Sequence, residues 1–256
     1  MGRRIALWFL EERHLSAESA GEMLRAFEEL EPLAGPTFLV PDALPGLPLE
    51  AEADVLGPAG MVHFERERMV FPRGSEVPAA PLGSDWSIRH PTPEDATETF
   101  EVACRAYWDY PGQLEWPGVD LERDLALYVG HLRDRRHTVV PEATFVVLVQ
   151  GQIRGNVVTR RDPTGPYIDS IQVDPRWHGR GLGRALMVRA LEALRAGGPP
   201  EVVRLTYLQQ NERAGALYRS MGFQVERVPR DVGSGYWVRQ KTLRAVLDRP
   251  ANTKYR

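Results

Sequence analysis

The chain has 256 residues, with 35 acidic against 32 basic side chains, a net charge of −3 and 43% apolar residues. That balance gives no electrostatic case for binding nucleic acid or an anionic membrane. A single cysteine, Cys104, rules out an intrachain disulfide and suits a reducing interior.

The first apolar run, Ile5 to Leu10, is stopped by Glu11 and Glu12. It is too short for a signal-peptide core, and Ala6 argues against myristoylation of Gly2. No stretch approaches the ~20 apolar residues of a membrane span. A soluble cytoplasmic chain is expected. Lysine occurs only at Lys241 and Lys254, an arginine-heavy usage that fits a GC-rich bacterial genome and carries no mechanism.

In chain order, Arg4 to Leu10 reads as a strand, and Ser16 to Leu30 as a capped amphipathic helix ending before Pro32. Thr37 to Val40 and Met61 to Phe71 supply short strands, the second with the look of a hairpin. Residues 1–71 therefore form a small α/β region with no site chemistry in view. Residues 72–85 are rich in Pro, Gly and small side chains and read as a linker. Residues 86–247 carry the main domain, and 248–256 are a polar tail.

In the main domain Trp86 opens a strand, Thr92 opens a helix running to about Tyr107, and a second helix spans Leu121 to Arg133. Thr144 to Val149 and Ile153 to Thr159 flank a tight turn at Gln150 and Gly151, and Tyr167 to Val173 follows as a third strand. Leu182, Leu186, Ala190 and Leu194 set a helical period that ends at Gly197. Val202 to Leu208 is a strand, and Ala214, Leu217, Tyr218 and Met221 mark a short helix. Phe223 to Val228 and Gly235 to Leu243 close the chain as strands.

The segment from Val173 to Leu186 is a strand, a glycine-rich turn and a helix. Such a turn points unpaired amides at one spot, and the helix dipole adds about half a positive charge. An anion such as a pyrophosphate fits there, with glycine allowing close approach. Gly179, Gly181 and Gly183 alternate, unlike the dinucleotide fingerprint, and no Gly-Lys-Ser/Thr closes a P-loop. A bare turn with no ligand stays open on the glycines alone.

About thirty residues on stands the block Gln210 to Phe223, containing Asn211, Leu217, Tyr218, Gly222 and Phe223. The two segments together, in this order, resemble the GCN5-related N-acetyltransferase superfamily over roughly residues 86–243. Ile88, Arg89, Glu94 and Asp95 resemble that family's first strand and helix. The resemblance implies an α/β fold: a mixed, mostly antiparallel sheet of six or seven strands flanked by about four helices, with the small N-terminal α/β region attached.

It further implies acetyl-CoA as cosubstrate and no metal. Backbone amides of His178, Gly179, Arg180, Gly181, Leu182, Gly183 and Arg184 would hold the coenzyme A pyrophosphate. His178 stands where the family has Gln or Arg. Ile171, Gln172 and Val173 would run beside the pantetheine arm, with the Val173 N–H as oxyanion donor. Asn211 and Ala214 would touch the cofactor, and Tyr218 would be both a contact and the general acid for the departing thiolate.

Each assignment has a plainer alternative: Tyr218 as a packed helix aromatic, Asn211 as a helix cap. Asp169 is the candidate base; strict alternation puts it on one face with Ile171 and Val173. Tyr107, Trp108, Asp109 and Glu115 offer aromatic faces and carboxylates to a cationic acceptor, or else plug the loop. The implied reaction is direct transfer to a primary amine of a small molecule, peptide or protein; homodimers are frequent in the family, and the oligomeric state stays open. A non-catalytic acyl-CoA sensor is the alternative.

Overall fold

A computed structural model describes residues 38–41, 53, 54, 57, 61–107, 139–196, 202–227 and 235–239. The expected strand from Arg4, the helices from Ser16 and Leu121, and the tail lie outside them. In chain order the elements are β1 (Phe38–Pro41), β2 (Met61–Phe71), β3 (Trp86–Arg89), α1 (Ala96–Tyr107), β4 (Phe145–Val149), β5 (Gln152–Asp162), β6 (Gly165–Val173), α2 (Leu182–Ala196), β7 (Val203–Leu208), α3 (Glu212–Ser220), β8 (Gln224–Val225) and β9 (Gly235–Arg239). The chain divides into two compact units, Met1–Glu67 with Leu208–Gln210 and Arg227–Pro250, and Arg68–Tyr207 with Asn211–Glu226 and Ala251–Arg256.

In the first unit β9 pairs antiparallel with β1 and with Met61 to Glu65 of β2. The expected hairpin within Met61–Phe71 is instead one strand of 11 residues. The run holds no Gly, Pro, Asn or Asp to form a turn, so the chain stays extended.

The second unit carries a mixed sheet of seven strands in the order β2-β7-β6-β5-β4-β3, with β8 pairing on β2. The β3–β4, β4–β5 and β5–β6 pairs are antiparallel. The β6–β7 pair is parallel, as a connection through α2 requires. Gln150 (φ 52°) and Gly151 (φ 79°) make the tight β4–β5 turn, whose two left-handed residues match strand twist. Three helices are described, against about four expected.

The two sheet faces differ. On one, α2 lays Leu182, Leu186, Leu191 and Leu194 on Val147, Val149, Val157, Ile168 and Leu205, the main apolar core. Val77 and Ala80, in the stretch expected as a linker, pack partly buried against that core. On the other face, under α1, the apolar cluster among the described residues is Val102, Val146 and Ile153, with Leu148 beside it. Adjacent residues Val146 and Val147 face opposite ways, so β4 is buried on both sides and reads as an unbroken apolar run.

Two register shifts of the β-bulge kind interrupt the sheet. In β5, Val147 pairs with Gly155 but Leu148 with Ile153, leaving Arg154 as the extra residue. In β6, Val158 faces Ser170 but Thr159 faces Ile168, leaving Asp169 extra. Ile168, Ile171 and Val173 accordingly share the α2-side core although the first two are three apart. The expected common face for Asp169, Ile171 and Val173 is broken by this bulge, because one inserted residue reverses the alternation.

Candidate functional site

Pairing of β6 with β7 is confined to Tyr167 with Arg204 and Ile168 with Leu205. Beyond Ile168 no further β6–β7 pair occurs among the described residues. The strand ends in a short 3-10 turn, Pro175–Trp177, and then the glycines. Gly179 and Gly181 have φ of 75° and 94°, left-handed values that penalise any β-carbon. A β-carbon at Gly179 would meet nothing within 4 Å, and one at Gly181 only the Trp86 ring edge at 3.9 Å. The turn is thus open on that side, and a side chain there would occupy space through which an anion could approach the backbone.

Leu182 begins α2 and is buried, so the helix starts directly after the exposed Gly179, Arg180 and Gly181, where its first backbone N–H groups have no intrahelical partner. Gly183 faces Leu217 Cδ2, Val173 Cγ2 and Ile171 Cδ1 at 3.4–4.0 Å from an ideal β-carbon, which brings β6, α2 and α3 together. Arg180 is exposed and stacks on Trp177 at 4.4 Å. Arg184 donates to the Ser220 hydroxyl at 2.8 Å. Gln172 is buried and pairs across the sheet with Asn156, itself opposite Val146, so its side chain lies on the α1 face, away from Ile171 and Val173.

His178 is engaged through both ring nitrogens. Nε2 lies 2.9 Å from the Val173 carbonyl, and Nδ1 meets the guanidinium of Arg213, in the first turn of α3. Arginine only donates, so Nδ1 accepts and Nε2–H donates, which sets the neutral tautomer. Burial pushes the His178 pKa below the ordinary imidazole value; the Val173 carbonyl opposes this, and the Arg213 charge adds to it.

Asn211 caps α3, its side chain accepting from the Ala214 N–H at 3.1 Å. Ala214 is half-buried against the core. Tyr218 is 6% exposed, edge-on to Tyr207 at 5.4 Å and tilted to Phe223 at 6.0 Å. Asp169 is 48% exposed and forms an ion pair with Arg160 at 2.8 Å. Tyr107 ends α1; its side chain, and Trp108, Asp109 and Glu115, lie outside the described residues. No cluster of metal-ligating side chains occurs among the described residues.

A further cluster surrounds Asp174, the residue that follows the end of β6. Its side chain is fully buried, and Arg176 forks onto it at 2.9 and 2.6 Å. Arg105, from the last turn of α1, donates at 3.0 Å, and Arg154 stands at 3.9 Å. Burial alone would raise the Asp174 pKa, but the Arg176 hydrogen bonds and the charges of Arg105 and Arg176 hold it below the usual carboxylate range. An Asp followed two residues later by Arg hinted at the local fork; Arg105, 69 residues away, had no signal in the sequence.

A mixed, mostly antiparallel sheet flanked by helices, with one strand losing its neighbour before a glycine turn at a helix start, defines an α/β protein. The GNAT acetyltransferase domain model matches residues 141–225. N-alpha-acetyltransferase RimI of Mycobacterium tuberculosis is 41% identical over 138 residues, 52% of this chain and 75% of that protein. A mycothiol acetyltransferase of Thermobifida fusca is 33% identical over 145 residues, 51% of this chain and 41% of that one, so the chain spans less than half of that relative. The crystal structure of a GCN5-related N-acetyltransferase from Sphaerobacter thermophilus matches in fold, with TM-score 0.57 and 18% identity over 84% of this chain and 63% of the other. The chain belongs to the GCN5-related N-acetyltransferase family.

Proposed function

We propose that this chain binds acetyl-CoA on the turn from His178 to Arg184 and catalyses transfer of the acetyl group to a primary amine. The observation that carries the reading is the open, left-handed pair Gly179 and Gly181 at the start of α2, beside a strand that has parted from β7. Amides in that geometry suit a pyrophosphate, and the edge of β6 from Ser170 to Val173, bonded to β5 but without a β7 pair among the described residues, suits an extended amide-bearing arm.

The bound thioester supplies an acyl group already activated toward amines, so no protein nucleophile is called for. The residues align, stabilise charge and move protons. The Val173 N–H is the proposed donor to the developing oxyanion. The Tyr218 hydroxyl is the proposed proton donor to the leaving thiolate, and Asp169 the proposed acceptor of the ammonium proton. His178 contributes its backbone amide, its ring being committed to Val173 and Arg213.

The acceptor is a small molecule, a peptide or a protein. The relatives' names support two classes, mycothiol and an α-amine. Tyr107, Trp108, Asp109 and Glu115 are the proposed acceptor contacts, by aromatic faces and carboxylates. The cytoplasm is the proposed compartment, on cysteine usage, and a homodimer the proposed assembly, on family analogy.

Calorimetric titration with acetyl-CoA, against ATP and NAD, tests the reading. Micromolar binding of acetyl-CoA alone supports it and opens a screen of amines. Absence of binding to both acetyl-CoA and coenzyme A would remove it. Binding without turnover on any amine would favour an acyl-CoA sensor.

A further inference from the structure

We propose that Asp174 is a positioning residue for the cofactor turn, setting where the Gly179–Gly181 amides stand; this rests on the coenzyme A reading above. The turn has little to hold itself. Its 3-10 segment is three residues long, closed by Trp177 N–H to the Asp174 carbonyl at 2.8 Å and His178 N–H to Pro175 at 3.1 Å. Single 3-10 turns are short and poorly bonded. Rigid placement must therefore come from outside the turn.

Asp174 supplies it. Its N–H donates to the Arg154 carbonyl at 2.9 Å, in the β5 bulge, and its carboxylate receives the Arg176 N–H at 3.1 Å. The Arg176 fork adds two further bonds, a geometry that fixes orientation as well as charge. From the opposite side comes Arg105, 9% exposed and seated in α1, while Arg176 is 55% exposed. The anchor is thus deep on one side and shallow on the other.

One guanidinium would neutralise the carboxylate, yet three surround it. The excess makes sense as geometry: the buried Arg105–Asp174 pair holds β6 against α1, and the Arg176 fork carries that fixed point into the turn. Asp174 touches neither donor nor acceptor in this scheme; it acts through Arg176 and the backbone.

The charges make the test discriminating. Removing a carboxylate beside a phosphate site should, by Coulomb's law alone, tighten coenzyme A binding. A purely structural role would lower the melting temperature and leave the affinity of the folded protein unchanged. Positioning predicts weaker binding. We expect Asp174→Asn in the full chain to raise the calorimetric Kd for coenzyme A about tenfold, measured well below its melting temperature with the native circular dichroism retained.

Arg176→Lys keeps the charge and loses the fork, so it should weaken binding as much as Arg176→Gln. Its exposed site makes it the deciding variant if Asp174→Asn does not fold. A Kd for Asp174→Asn at or below twice the wild-type value overturns the inference. So does an Arg176→Lys protein that binds like wild type. A wild-type chain that does not bind coenzyme A removes the cofactor reading and this inference together; wild-type binding with unaffected variants removes this inference alone.

Discussion

The ring of His178 donates through Nε2 to the carbonyl oxygen of Val173, 2.9 Å away, and so ties the start of the glycine turn to the end of β6. Arg213 on the other ring nitrogen extends the tie to α3. The Arg213 contact needs the neutral ring, since a protonated Nδ1 would meet a guanidinium, whereas the Nε2–H bond to Val173 is available in either state.

A pH dependence follows, with a definite sign. The folded-state pKa of His178 is depressed, mainly by burial. The unfolded chain, with a value of about 6.5, binds the proton more readily. Stability from this group is therefore complete above that value and declines as pH falls from it toward the lower folded value. Melting curves from pH 8 to 5 should show the decline, and His178→Gln should flatten it. An unchanged slope in the variant would assign the dependence to another group.

The alternating glycines are not equivalent. Gly181 sits at φ 94°, so Gly181→Ala should cost about 1–2 kcal/mol through the left-handed backbone and also weaken acetyl-CoA binding. Gly183 has no such strain, and its added carbon would meet Leu217 Cδ2 at 3.4 Å, an ordinary contact. Gly183→Ala should be neutral or stabilising by up to about 1 kcal/mol, from helix propensity. Denaturant melts of both proteins decide it, and equal losses would contradict the distinction.

Tyr218 packs its ring whatever its hydroxyl does. Tyr218→Phe keeps the contacts with Tyr207 and Phe223. With acetyl-CoA and a responsive amine, the acid role predicts a kcat reduced about 100-fold and little change in melting temperature. A kcat within a few-fold of wild type would leave the tyrosine as packing.

Arg89 clasps Asp95 at 2.5 and 2.8 Å, joining the end of β3 to the turn before α1. Those hydrogen bonds, with Thr92 also donating, bring the Asp95 pKa down to about 2. The stabilisation is present above the unfolded carboxylate value of about 3.9 and is lost as pH falls from there toward 2. Asp95→Asn should blunt the acid limb of the stability curve over that interval, read by circular dichroism.

Much of the fold was legible because it rests on local patterns. The four-residue repeat of Leu182, Leu186, Ala190 and Leu194 defines α2 within a residue or two, and Gln150-Gly151 marks its hairpin. Asn211 reads as a cap from residue type alone, and its side chain does accept from Ala214. Met61–Phe71 extends as one strand where a hairpin is expected, because the run holds none of the residues that favour a turn.

What periodicity could not give were the bulges and the long-range polar contacts. A strict two-residue alternation grouped Asp169 with Ile171, but the extra residue in β6 turned the aspartate to Arg160 and the isoleucine to the core. A bulge costs one residue and leaves no composition mark, so only pairing with β5 discloses it.

Two kinds of information therefore specify this site. The amino-acid sequence by itself determined the glycine turn, the helix behind it and the Asn211–Tyr218 segment, since backbone freedom, apolar spacing and capping are properties of neighbouring residues. Tertiary structure alone decided that Asp174 is buried among Arg105, Arg154 and Arg176, and that His178 spends its ring on Val173 and Arg213. Those partners come from separate elements, and an ionised or neutral side chain acquires its role only when folding removes water and brings the matching donor within reach.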